Sequence, residues 1–206
     1  MNHDRHVRAA GTMKMEWNTR NLVKIAMLSA VSFVLMMLSF PIVAVFPAFL
    51  KMDLSDLPAL LGGFAIGPAA GVLVELIKNI LIILIKGTDT VGIGELSNFI
   101  VGCCFVVPAS VFYLRHKDKK HAVVGMLIGT VVMTVVACFT NAFLILPLYQ
   151  KFMPLDQILA AAPGNAITSV RTLVLFGIAP FNLFKSIVLS AGTMLIYKKL
   201  SPVLHK

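Results

Sequence analysis

The sequence predicts an all-α fold: an integral membrane bundle of six transmembrane helices with both termini cytoplasmic. Three observations lead there. Of the 206 residues 58% are hydrophobic and the mean hydropathy is +0.90, against roughly 45–50% apolar residues in soluble domains. That excess cannot be buried in a soluble core of this size, so lipid must solvate most of it. The apolar residues also come in long runs, on the scale of the about 20 residues that a helix needs to cross a bilayer. Finally, twelve of the eighteen Lys and Arg lie in three patches, at 5–24, 115–120 and 198–206, which flank apolar runs. Cytoplasmic connections carry this bias.

The elements follow in order. The opening MNHDRHVRAAGT is polar and lacks the early apolar stretch of a signal peptide, so residues 1–17 are expected to form a disordered leader. Residues 18–200 form a single six-helix membrane domain, and 201–206 a cytoplasmic tail. The first span runs from about Leu22 to Phe40 and stops at Pro41. The connection VAVFPAFLKMDLSD mixes aromatic and aliphatic residues in a way unusual for a solvated loop, which suggests a lid that folds back.

A second span starts at Leu57 and ends near Ile66, where Gly67-Pro68 interrupts it. Proline lacks the amide proton and disfavours helix in the residue before it. The third span covers about Ala69 to Ile85. Two spans are favoured here because about thirty apolar residues overshoot one crossing; one long kinked helix is the alternative. A fourth span covers about Ile93 to Leu114 after the turn cluster KGTDTVG, and a fifth about Ala122 to Leu148 after RHKDKKH. The segment YQKFMPLDQILAAAPGNAITSV has room for a short surface helix, and the sixth span covers about Leu173 to Tyr197. Six spans put the basic patches on one side and leave Lys51, Lys86, Lys151 and Arg171 on the other, as the positive-inside bias requires.

Composition excludes several classes. No GxxxxGK[ST] loop is present, so the chain cannot drive transport with ATP by itself. There is no HExxH, no defensible Ser-His-Asp order, and no acidic repeat that could hold magnesium; the chain reads as a non-enzyme. Cys103, Cys104 and Cys138 fall within apolar runs, and the five histidines lie in tails or the basic loop. Neither set has ligand spacing, so no metal is expected. The basic patches lack interleaved aromatics to stack bases, which argues against nucleic acid.

What remains unusual is polar. Glu95 and Asn98 are three apart and share a helix face, as do Asn182 and Lys185. Asn141 sits within the fifth span, and Thr88 and Tyr149 lie at or near outer helix ends. Such groups are costly near hydrocarbon unless they find partners or line a wet cavity. Amide side chains, which offer donors and an acceptor in one plane, suit the edge of a flat neutral heterocycle. The bland alternatives are interhelical hydrogen bonds for Asn141, snorkelling for Lys185, a local cap for Glu95 and an interfacial belt for Tyr149. A functional or ion-paired Lys185 is favoured because it lies more than ten residues from the basic tail. Glu75 with Lys78 reads as an internal pair. On the first span, Ala26 and Ala30 form a small-residue stripe that would let another helix approach closely, or simply pack within the chain.

The strings LKMDLSDLPALLGGFAIGPAAGVLVELIKN and GTDTVGIGELSNFIVG resemble the riboflavin-specific substrate-binding (S) component of energy-coupling factor (ECF) vitamin transporters. The likeness extends from about Asn18 to Tyr197. It implies a multi-pass protein of a prokaryotic plasma membrane that captures riboflavin with high affinity from the extracellular side. It further implies association with a transmembrane coupling (T) subunit and two ABC-type ATPase subunits, through the alanine stripe of Ala26 and Ala30. Leu50 and Met52 would cover the ligand from the loop. Thr88, Glu95, Asn98, Asn141, Tyr149, Asn182 and Lys185 would supply polar contacts.

Riboflavin would be the transported ligand, with no cofactor and no stable homo-oligomer. Rival readings are an S component for pantothenate or thiamine, and a membrane-embedded enzyme of lipid metabolism. A thiamine site calls for more aromatic and acidic residues, and Trp17 stands alone at the cytoplasmic border. Pantothenate would want a cation, which Lys185 could provide.

Overall fold

The computed structural model describes residues 17–163 and 167–204, with side chains through 196. Most of the expected leader, and the last two residues of the expected tail, lie outside the described residues.

Helix α1 (Thr19–Met37) begins at Asn18, whose side chain accepts the Asn21 amide proton at 2.8 Å. This bond satisfies one of the free donors of the first turn. The outer connection then departs from the all-helical expectation in one detail. Phe40–Pro41 (β1) pairs antiparallel with Lys51–Met52 (β2). The two-residue ladder pins both ends of the loop and folds it back on itself.

Helices α2 (Asp56–Ala65) and α3 (Pro68–Ile85) are separated at Gly67, whose φ of +140° no L residue adopts comfortably. Pro68 then opens α3, where its missing N–H is harmless. The break is a hairpin rather than a kink: a Cβ added at Gly71 would stand 3.0 Å from the Ala59 carbonyl oxygen. All of α2 from Asp56 to Phe64 is buried, packed against α1, α3, α4 (Ile93–Tyr113) and a late helix, α9 (Ala179–Leu204).

Helix α4 (Ile93–Tyr113) packs along α5 (Lys119–Thr140). Asp118 caps α5, accepting the His121 amide proton at 2.7 Å. From α5 the chain continues through a π-helical turn, Asn141–Ile145, into α6 (Leu146–Tyr149). The expected short surface helix is α7 (Leu155–Ala160), with Ile158 turned inward. A last helical run comprises α8 (Val170–Leu173), a second π turn at Val174–Ile178, and α9 (Ala179–Leu204).

The two π turns share a cause. Each ends two residues before a proline, Pro147 in one run and Pro180 in the other. A proline ring in an α-helix collides with the carbonyl four residues back, and a wider turn moves that carbonyl away. The bonds from Leu146 N–H to the Asn141 carbonyl and from Ala179 N–H to the Val174 carbonyl both span five residues. Wide turns of this kind occur often at functional sites.

Among the described residues, five helical runs are long and apolar enough to cross a membrane: Thr19–Met37, Pro68–Ile85, Ile93–Tyr113, Lys119–Tyr149 and Val170–Ile196. The remaining expected span, the second, is α2, which has ten residues and is about 15 Å long. Large apolar side chains such as Met27, Leu84, Val131, Phe139 and Ile187 face outward, as lipid requires.

Candidate ligand-binding site

Several polar residues of the apolar runs, Asn98, Asn141, Asn182 and Lys185 among them, converge on one cavity of about 150 Å³ at the β1–β2 end of the bundle. Phe49 and Leu50 reach it from the outer loop, Met36 from α1, Ile82 from α3 and Val101 from α4, with Ile145 and Phe181 from the late helices. Its polar lining includes Asp53, Glu95, Asn98, Asn141, Tyr149, Asn182 and Lys185. The mouth runs between Lys51 and the turn of Lys86, Gly87 and Asp89. Lys51 Nζ reaches Asp89 Oδ2 at 3.2 Å across that mouth, in an exposed ion pair.

Asn141 opens the first π turn, and Asn182 lies two residues past Pro180. Both are buried. The Asn141 Nδ2 donates to the Ala137 carbonyl at 2.8 Å, and the Asn182 Nδ2 to the Ile178 carbonyl at 2.8 Å. One N–H of each amide is thereby spent on its own helix. The Oδ1 and the second N–H of each remain for whatever enters the cavity.

Lys185 stands one turn beyond Asn182, with its ammonium held by two carboxylates. It donates to Asp53 Oδ2 at 3.2 Å and lies 2.9 Å from Asp56 Oδ2. The charges continue inward, away from the cavity. Asp56 Oδ1 accepts from Lys78, and Lys78 also reaches Glu75 Oε2 at 2.8 Å and Ser55 Oγ at 2.7 Å. Asp53 Oδ1 in turn accepts from the Ser55 amide at 2.8 Å and from its hydroxyl. Ser32 on α1 closes the chain by donating to the Ser55 carbonyl at 2.8 Å. Asp53, Asp56, Glu75, Lys78 and Lys185 are all buried.

Of the nine sequence candidates for ligand contact, Leu50, Glu95, Asn98, Asn141, Tyr149, Asn182 and Lys185 line this cavity. Met52 instead packs with Phe46 and Phe181 under the outer loop. Thr88 sits beside the cavity and donates to Glu95 Oε2 at 2.9 Å, while Thr90 donates to the same oxygen at 3.2 Å. Glu95 thus also ties down the α3–α4 turn, where Val91 and Gly92 adopt positive φ. Tyr149 packs against Phe49, with ring centroids 6.3 Å apart. Asn98 Oδ1 accepts from Asn79 at 3.4 Å. Ala26 and Ala30 lie on the exposed face of α1.

Sequence reasoning missed Asp53, Phe49 and Phe181 as cavity residues. It also missed Asp56 as the carboxylate shared by two lysines. The one available signal was a pair of acids three apart beside a span that contains no cation of its own. Among the described residues, no group of three or more His, Cys, Asp or Glu could hold a metal ion.

Comparison with known proteins gives a consistent answer. A family model described as the substrate-specific component of the ECF transporter matches residues 20–197. The riboflavin transporter FmnP of Bacillus subtilis (strain 168) is 38% identical over 184 residues, 89% of this chain and 93% of that protein. The riboflavin transporter RibU of Staphylococcus aureus (strain TCH60) is 37% identical over 194 residues, covering 94% of this chain and 96% of that one. One solved structure, described as the S component of a bacterial ECF transporter, superposes with a TM-score of 0.73 at 35% identity. It covers 91% of this chain and 98% of its own.

Proposed function

The chain belongs to the family of ECF transporter substrate-specific components, and on that premise we propose that it binds riboflavin in the cavity for uptake across a bacterial plasma membrane. The observation that carries this reading is the arrangement of Asn141, Asn182 and Lys185. Each amide, with one N–H already spent, keeps one donor and one acceptor for the cavity, and the fixed Lys185 ammonium adds a donor, a set from which one acceptor between two donors can be drawn. A cyclic imide edge presents the complement, one N–H between two carbonyls. Phe49, Leu50, Ile145, Val101 and Phe181 supply the apolar surface that a tricyclic ring needs. Glu95, Asn98 and Tyr149 line the same space and suit the ribityl hydroxyls, which otherwise lose hydrogen bonds on leaving water.

The vitamin rivals fit less well. Lys185 is already matched by Asp53 and Asp56, so it is a poor counter-ion for a pantothenate carboxylate. Asp53 is likewise matched, which leaves it little to offer a thiamine cation. An enzyme of lipid metabolism is at odds with membership of a transporter family.

Delivery needs an energy source outside this chain. A membrane-spanning coupling subunit carrying two ATPases fits the family, and the exposed Ala26 and Ala30 offer such a partner a smooth helix face. We take α2 as a sixth, short crossing, hidden from lipid by its neighbours. That count places the 115–120 loop and both chain ends in the cytoplasm, with the cavity mouth outside.

The deciding experiment is the absorbance and fluorescence of the protein purified in mild detergent. Bound, quenched flavin at about one per chain, or stoichiometric quenching of added riboflavin, is the expected result. A colourless protein that leaves micromolar riboflavin unquenched while binding pantothenate or thiamine would sink the flavin assignment.

A further inference from the structure

Lys185 is a buried cation that meets the cavity, yet one of the two carboxylates that hold it lies behind the cavity wall. A lysine ammonium sits on a flexible four-carbon stem and has no fixed fork geometry, so its value as a donor depends on the partners that fix it. Asp53 is one partner and itself lines the cavity. The other, Asp56, does not reach the cavity, stands at the start of the wholly enclosed α2, and is the nearer at 2.9 Å.

We propose that Asp56 is a positioning residue of the binding site, whose carboxylate sets the Lys185 ammonium at the cavity wall while Lys78 anchors that carboxylate from behind. The proposal rests on the reading above that Lys185 meets the ligand. Three features support it. First, the Asp56 carboxylate is divided: Oδ1 takes Lys78 and Oδ2 faces Lys185. The ammonium on α9 is thereby referenced to the enclosed α2 and, through Lys78, to α3, as well as to the loop that carries Asp53.

Second, the row of charges has one open end. Lys185 opens on the cavity, whereas Glu75 is shut in against α4, where a Cβ added at Gly102 would come within 2.4 Å of its Oε2. An ion pair that served only to join helices would need no member in the cavity wall. Third, three carboxylates face two ammoniums. Lys78 therefore has work to do even though it never meets the cavity: without it Asp56 would be a buried carboxylate competing for a single cation.

The test uses the full chain in mild detergent with riboflavin as probe. Affinity comes from fluorescence quenching, the electrostatics at the ring from the visible absorption band of bound flavin, and folding from thermal unfolding without ligand. The deciding variant is Asp56→Asn, which leaves Lys185 with Asp53 and Lys78 with Glu75, so that each remaining buried charge keeps a partner. It is expected to unfold near the parent temperature but to bind about 10- to 100-fold more weakly, the range seen for outer partners that orient metal-bound ligands. Its bound-flavin band should move in the same direction as in Lys185→Met. Parent affinity and an unmoved band in Asp56→Asn would overturn the proposal and leave Asp56 a helix-joining group.

Should that variant not fold, Asp56→Glu decides, because it keeps every charge and shifts the carboxylate by one methylene. A loss of about tenfold or more supports positioning, and unchanged binding overturns it. Lys185→Met separates this proposal from the one beneath it. If Lys185→Met binds as the parent does, the lysine contact itself is wrong; if only Lys185→Met is impaired, the contact stands and the role of Asp56 falls.

Discussion

Asn141 and Asn182 make the same bond on two different helical runs: each side-chain nitrogen donates to the carbonyl four residues back, at 2.8 Å. Each also lies close to a π turn that a proline two residues further on accounts for. A wide turn rotates the residues on either side of it relative to a regular helix. Here it brings two amides, 41 positions apart in sequence, onto one cavity.

Asn141→Ala and Asn182→Ala should each weaken riboflavin binding by about 1–2 kcal/mol, roughly 5- to 30-fold, since a ligand polar group loses its partner in a dry site. Unfolding of the ligand-free protein should change little, because the carbonyl that loses the amide is still bonded within its helix. Quenching titrations and thermal scans on the two variants check both halves. Undiminished affinity in both variants would remove the amides from the site.

Helices α4 and α5 approach at backbone distance. A Cβ at Gly125 would meet the Ala109 carbonyl oxygen at 2.6 Å, and one at Gly129 the Phe105 carbonyl oxygen at 2.6 Å. Backbone cannot swing aside as a side-chain tip can, so Gly125→Ala or Gly129→Ala must push the helices apart. A stability loss of about 1–3 kcal/mol is expected from such overpacking, measured as a lower unfolding temperature in detergent. The ligand-bound protein should show the same drop.

Orientation is open to labelling. With Cys103, Cys104 and Cys138 replaced by serine, a cysteine introduced at Lys117 should react with a membrane-impermeant maleimide only after cells are opened. One introduced at Asp89 should react in intact cells. Both positions are exposed. The reverse pattern would invert the orientation, and labelling of both from outside would mean that α4, the helix between them, does not cross.

Asp118 supplies a pH dependence outside the membrane. The His121 amide proton, and then its imidazole, hold the Asp118 carboxyl below the usual carboxylate range. A lowered folded-state value means the cap stabilises fully above the unfolded value, and its contribution is lost as pH falls through the folded one. Amide exchange in the first turn of α5 should therefore accelerate below about pH 4, near the ordinary carboxylate pKa. The same turn in Asp118→Ala should exchange quickly at all pH values and show no such step.

Much of the architecture was legible because local chemistry writes it. The break at Gly67-Pro68, the surface helix at 155–160 and the long apolar runs follow from proline geometry and hydropathy, which depend only on neighbouring residues. Asn141, Asn182 and Lys185 stood out because polar groups in apolar runs demand a reason. Their convergence was not legible, since side-chain periodicity says which face a residue takes but not what that face meets. The pairing of Lys185 with Asp53 spans 132 positions, and no local pattern encodes it. Met52 illustrates the same limit: it stands two residues from Leu50, which lines the cavity, yet it packs with Phe46 and Phe181 instead, and no local pattern separates the two.

The enclosed α2 also constrains how the protein is made. Ten residues headed by Asp56 are a poor candidate to leave an insertion channel for lipid alone. Its hairpin partner α3 brings Lys78, so the two helices can enter the bilayer as a unit with Asp56 already neutralised. Asp53 has no such early companion: its cation, Lys185, is synthesised with the last helix. Until α9 arrives, the nascent chain holds an unmatched carboxylate at the edge of its membrane domain, and the cavity wall is completed in the final step of integration.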